Sequence, residues 1–151
     1  MNTEPDKSNK MVIVSACLMG VNCRYDGKNN LSSKFTLPAE ETAVLICPEQ
    51  LGGLPTPREA SEISGGDGRD VHTGKAAVSG IHSGTDFSEN YLRGAYETLR
   101  ITRLFRCRKA YLKRNSPSCG CGDIYQKGIL VKGNGVTTAL LLMNNIEIQP
   151  I

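Results

Sequence analysis

Apolar residues in this chain gather in short runs separated by polar, turn-forming stretches. Met11-Val12-Ile13-Val14-Ser15-Ala16 has the β-branched pattern of a buried strand, and Ala43-Val44-Leu45-Ile46 and Lys109 to Lys113 repeat it. Ile146 to Ile151 predicts a last strand. Phe87, Tyr91, Ala95, Leu99 and Thr102 share one helical stripe, which predicts a helix over 86–106 with Thr85 or Asp86 as N-cap. Val136 to Met143 predicts a compact apolar helix, set off by Gly133-Asn134-Gly135 and ended by Asn144-Asn145. A short helix is expected within 31–42, interrupted or ended by Pro38. Gln50 to Ala60, with two glycines and two prolines, must be loop. Gly65-Gly66-Asp67-Gly68 reads as a tight turn, Asp70 to Gly80 as a small hairpin, and Ile124 to Val131 as a hairpin or irregular segment.

Strands separated by helices predict one α/β domain over 11–151, with a mainly parallel, Rossmann-like sheet flanked by helices. In such sheets ligands bind beyond the carboxyl ends of the strands. Residues 1–10 are polar and charged, the pattern of a disordered leader with no signal-peptide core.

Length agrees with a single domain, since 151 residues bury a core without staples. Net charge is +3, from 18 basic against 15 acidic residues, which does not announce a nucleic-acid partner. The basic residues mostly gather between Arg100 and Arg114, a run more often a solvated helix face than an RNA site. No apolar run approaches the ~20 residues needed to span a bilayer. A cytoplasmic location is expected.

Six cysteines change that bland picture. In a reducing compartment this density points to metal or catalysis rather than disulfides. Cys107 sits in a basic helical pattern and reads as a small buried hydrophobe. Cys17, Cys47 and Cys119 differ, because each follows a predicted strand. Three thiolates from three loops should therefore meet at one edge of the sheet. The loop Ser116-Pro117-Ser118-Cys119-Gly120-Cys121-Gly122 is short on bulk and rich in sulfur and oxygen, as one wall of a site would be. Pro117 keeps Ser116 extended.

Several chemistries fit three thiolates. Structural zinc usually takes four ligands with C-x2-C pairs, and neither Cys17 with Cys23 nor Cys119 with Cys121 has that spacing. A cysteine nucleophile needs a base, and nothing pairs His72 or His82, both read as solvated, with a cysteine. An iron–sulfur cluster asks for thiolates above all. Three of them would leave one iron of a four-iron cluster open as a Lewis acid suited to soft sulfur. In Cys47-Pro48-Glu49 an extended backbone puts thiol and carboxylate on one side, making Glu49 a candidate base for water.

Five motifs then occur in order: Ser15-Ala16-Cys17-Leu18-Met19-Gly20; Cys23-Arg24-Tyr25-Asp26-Gly27; Cys47-Pro48-Glu49 with Leu51-Gly52-Gly53-Leu54-Pro55-Thr56-Pro57-Arg58; Ser116-Pro117-Ser118-Cys119-Gly120; and Gly135-Val136-Thr137-Thr138-Ala139-Leu140-Leu141. Together they resemble the thiouracil desulfidase family over nearly everything after residue 10. The resemblance implies a [4Fe-4S] cluster held by Cys17, Cys47 and Cys119, with one open iron taking the sulfur of a thiolated uracil or nucleoside. It implies hydrolytic, non-redox cleavage of the carbon–sulfur bond, with Glu49 activating water and Ser116 holding or protonating substrate. Arg24, Tyr25, Asp26 and Ser118 are expected on the substrate side, while the roles of Cys23 and Cys121 stay open. Thiolated transfer RNA is a less favoured substrate, and the chain is expected as a monomer or homodimer. After Ile124-Tyr125 the family pattern of Asp-Gly is replaced by Gln126-Lys127-Gly128. A metal-free cysteine-dependent hydrolase and a non-catalytic metal- or RNA-binding protein remain the competing classes.

Overall fold

β-Branched runs resist helix and favour a pleated, buried surface, and the apolar runs of this chain take that form. The computed structural model describes residues 10–151. In chain order it has β1 (Lys10–Ser15), a 3-10 turn (Ala16–Met19), β2 (Glu41–Ile46), α1 (Pro48–Leu51), β3 (Ser61–Ser64), α2 (Gly68–His72), β4 (Ala77–Gly80) and α3 (Ser88–Leu104). Then follow β5 (Lys109–Leu112), β6 (Asp123–Gln126), β7 (Ile129–Lys132), α4 (Val136–Met143) and β8 (Glu147–Pro150). Residues 1–9 of the expected leader lie outside the described residues, and Lys10 already opens β1.

The strands β2-β1-β5-β8 form a four-stranded sheet in that order, and every pairing is parallel. A parallel sheet needs cover on both faces. Ile13, Ala110 and Leu112 point to one face, where Tyr91, Ala95 and Leu99 of α3 and Leu140 and Leu141 of α4 pack. Val12, Val14 and Tyr111 point to the other, covered by Leu18, Cys23, Phe35 and Leu37. Ile13, Leu112 and Leu141 are fully buried, each worth roughly 1.5–3 kcal/mol over leaving it exposed. Among the described residues no helix is long and apolar enough to cross a membrane.

Two close contacts fix α1 against α3. A Cβ on Gly94 would lie 1.9 Å from the Pro48 carbonyl oxygen, and one on Gly52 would lie 2.0 Å from that of Asn90. Because α1 begins directly after Cys47, this packing sets where Cys47 and Glu49 stand.

Several expectations are corrected. No helix forms within 31–42: Phe35 and Leu37 alternate onto the sheet face, the tilted Phe35–Tyr111 ring pair lies 5.2 Å apart, and β2 starts at Glu41 to pair with Lys10. The hairpin sought over 70–80 instead pairs β4 with β3, antiparallel, and α2 lies between them. A capping box explains that helix, since Asp67 accepts from Arg69 N while Asp70 accepts from Asp67 N. His72 is half-buried rather than solvated, with Nε2 2.8 Å from Val136 O and its ring edge-on to Tyr96. The loop expected over 50–60 begins slightly later, because α1 extends to Leu51. α3 starts at Ser88 with Phe87 as its N-cap, not Thr85 or Asp86, and the Asp86 carboxylate one residue further back accepts from Ser88 N at 2.8 Å. β6 and β7 form an antiparallel hairpin around Lys127-Gly128, both at positive φ.

Candidate active site

β2, β1 and β5 are neighbours and point the same way, so their carboxyl ends share one rim. Cys17 sits in the 3-10 turn after β1, Cys47 is the N-cap of α1 after β2, and Cys119 lies in the loop after β5. All three line one cavity of about 410 Å³, within the size range of small-ligand sites. Cys23, Arg24, Tyr25, Glu49, Ser116 and Ser118 also line it. Asp26 does not: it is exposed, paired to Arg24 at 3.2 Å and accepting from Lys28 N at 3.0 Å. Cys107 is buried in the helix-side core, and Cys121 is partly exposed outside the cavity lining.

The Cys119 loop owes its shape to α4. Helix N-termini leave amide donors unsatisfied. Here Val136 N donates to Pro117 O at 2.8 Å and Thr137 N to Ser118 O at 2.9 Å, while Thr138 Oγ1 donates to Cys119 O at 2.8 Å. A Cβ on Gly135 would fall 2.5 Å from the Ser118 carbonyl, so only glycine permits this approach. Ser116 Oγ accepts from Cys119 N at 2.7 Å and lies 3.3 Å from Ser118 Oγ, which donates to Cys119 Sγ at 3.7 Å.

The sulfurs differ in their surroundings. Burial pushes the Cys119 thiol up to about 12. Cys17 and Cys47 are lowered, chiefly by interaction with the neighbouring Cys23 thiol, and that coupling raises Cys23. Among the described residues, no three His, Cys, Asp or Glu side chains close on a single-ion position. Cys17, Cys47 and Cys119 line one cavity, an all-sulfur donor set of the kind that iron–sulfur clusters take.

Glu49 is firmly held. Tyr91 OH donates to Oε1 at 3.1 Å and Arg58 Nη2 to Oε2 at 3.0 Å, while Oε2 lies 4.0 Å from Cys47 Sγ. Carboxylate oxygens each accept more than one hydrogen bond, so capacity remains for a water or substrate proton. Nothing in the sequence pattern sets Arg58 or Tyr91 apart as functional. In the sequence Tyr91 is one more member of a helical stripe, and Arg58 only closes the Leu51–Arg58 motif. Lys113, which the apolar pattern makes a strand end, is half-buried in the lining, and its pKa is lowered by burial. In the basic run, Arg100 is exposed and pairs with Glu97 one helical turn away, as a solvated face would.

A family model described as 2-thiouracil desulfurase matches residues 12–150. The uncharacterized protein YbbK of Bacillus subtilis (strain 168) is 47 % identical over 135 residues, which cover 87 % of this chain and 89 % of YbbK. Among solved structures, the fold is similar to a chain described as a [4Fe-4S]-dependent thiouracil desulfidase, TudS. The TM-score is 0.78 at 37 % identity, covering 93 % of this chain and 90 % of that one. A parallel sheet whose adjacent strand ends bring cysteines and one buttressed glutamate to a common cavity accords with these likenesses, and the chain belongs to the 2-thiouracil desulfurase family.

Proposed function

We propose that this protein removes sulfur from thiouracil or a related thiolated base or nucleoside by hydrolysis, with Cys17, Cys47 and Cys119 holding a [4Fe-4S] cluster. The observation that carries the reading is Glu49: its carboxylate, clamped by Tyr91 and Arg58, lines the same cavity as three cysteines from adjacent strand ends. The donor set fits, because all three candidate ligands are thiols from adjacent strand ends that line one cavity. When bound, the cluster would supply a Lewis-acidic iron with affinity for the soft sulfur of the substrate.

The chain's own residues perform the remaining steps. Tyr25 presents an exposed aromatic face at the cavity, suited to stack a pyrimidine. Arg24, held by Asp26 and by Asn30 at 2.8 Å, offers a cation at the same wall. Glu49 takes a proton from water as the water oxygen bonds to the thiocarbonyl carbon. Ser116, whose oxygen accepts the Cys119 amide and lies 3.3 Å from Ser118 Oγ, is the hydroxyl at the cavity wall that holds or protonates the substrate. The carbon–sulfur bond breaks and sulfur leaves with two protons, so thiouracil and water become uracil and hydrogen sulfide without net redox change.

Anaerobic reconstitution with iron and sulfide, followed by a panel of thiolated bases, nucleosides, nucleotides and transfer RNA, tests this reading. Equimolar sulfide and desulfurated product supports it. An iron-loaded chain that releases no sulfide from any member overturns it, and full turnover by metal-free protein replaces it with a cysteine-dependent hydrolase.

A further inference from the structure

Arg58 stands in a loop, yet its side chain is only 5 % exposed, less than the Glu49 it pairs with. Buried arginines cost stability unless their donors are used, and here both terminal nitrogens are used while Nε is buried without a partner among the described residues. Nη2 donates to Glu49 Oε2 at 3.0 Å and to Cys23 O at 2.8 Å, and lies 4.0 Å from Cys47 Sγ. Nη1 donates to Thr56 Oγ1 at 3.0 Å and to Pro55 O at 3.3 Å within its own loop. The backbone N–H of Arg58 donates to Tyr25 O at 2.8 Å. One residue thus reads two carbonyls of the Cys23–Tyr25 segment while gripping the carboxylate that follows Cys47.

We infer that Arg58 is a positioning residue for desulfuration: it locks Glu49 in register with the Cys23–Tyr25 loop, so base and substrate wall move as one unit. The inference rests on the proposed function for its chemical meaning. Only a planar guanidinium serves these acceptors together. A lysine ammonium keeps the charge but is a point donor on a flexible stem, which cannot hold this fork. Displacing a catalytic group by about 1 Å commonly costs on the order of 10²-fold in rate.

The test compares wild type, Arg58→Lys, Arg58→Ala, Glu49→Gln and the Arg58→Lys/Glu49→Gln double variant, all reconstituted anaerobically. Arg58→Lys should keep its iron and lose on the order of 10²-fold in kcat with KM little changed. Millimolar guanidinium ion should restore part of the activity of Arg58→Ala, while ammonium should not. Thermal midpoints of the iron-loaded chains give a readout free of turnover: the double variant should lose clearly less than the sum of the two singles. Wild-type kcat in Arg58→Lys overturns the inference, as does activity that falls only in step with iron content. If wild type proves silent on every thiolated compound, the proposed function fails by itself. The thermal cycle then decides the Arg58–Glu49 coupling, and additive shifts overturn it.

Discussion

Tyr91 and Glu49, 42 positions apart, are joined by a 3.1 Å hydrogen bond from the phenol to Oε1. The tyrosine comes from the buried face of α3, the glutamate from the first turn of α1, so helix packing places a donor behind the candidate base. Burial and the Glu49 charge hold the phenol well above its ordinary pKa, keeping it a neutral donor. Tyr91→Phe should leave iron content unchanged, cost about 1–3 kcal/mol in chemical denaturation and lower kcat roughly tenfold. Unchanged kcat would remove Tyr91 from the machinery and leave it a packing residue.

Serine at position 17, 47 or 119 should abolish iron binding or leave it labile, measured as iron per chain and visible absorbance after anaerobic reconstitution. Cys107→Ser should keep about four irons, because that thiol lies in the helix-side core and not on the cavity. Bleaching by Cys107→Ser alone would break the proposed ligand set.

Glu49→Gln preserves shape and removes the charge. It should retain the cluster and lose about 10²–10⁴-fold in turnover, the usual contribution of general acid–base catalysis. Sulfide release at the wild-type rate would show that another group activates water.

Ser116→Ala strips the Cys119 amide of its acceptor at 2.7 Å. An unsatisfied buried donor costs about 1–3 kcal/mol, so the denaturation midpoint should fall with it. If Ser116 also serves the substrate, kcat should fall further than iron loading does; equal losses would confine it to shaping the loop.

Gly94→Ala tests the fold's control of the site from a distance. A methyl group placed 1.9 Å from Pro48 O must push α1 off α3. The cost should reach about 1–3 kcal/mol or more, the range for overpacking, with reduced iron loading because Cys47 precedes the displaced helix. A variant as stable as wild type would show that α1 shifts freely.

The local pattern carried the architecture. Apolar runs of strand length, interrupted by one long helical stripe, are enough to specify a parallel α/β sheet, because each element must bury its face near its own position in sequence. The same reasoning set Cys17, Cys47 and Cys119 after their strands. It failed at Leu31 to Thr42, where Phe35 and Leu37 extend over the sheet under the pull of Tyr111, and at Ser61 to Ser64, whose partner β4 lies beyond a capped helix. In both places a distant surface overruled local spacing.

The sequence alone determined that cysteines would follow the strands and that a carboxylate would sit beside Cys47, since strand ends and neighbouring residues are local facts. Which strands became neighbours, that Arg58 and Tyr91 grip Glu49, and that α4 shapes the Cys119 loop were decided by tertiary structure. Those partners are separated by tens of residues, and hydrogen bonds between them depend on how whole elements pack, which no periodicity along the chain encodes.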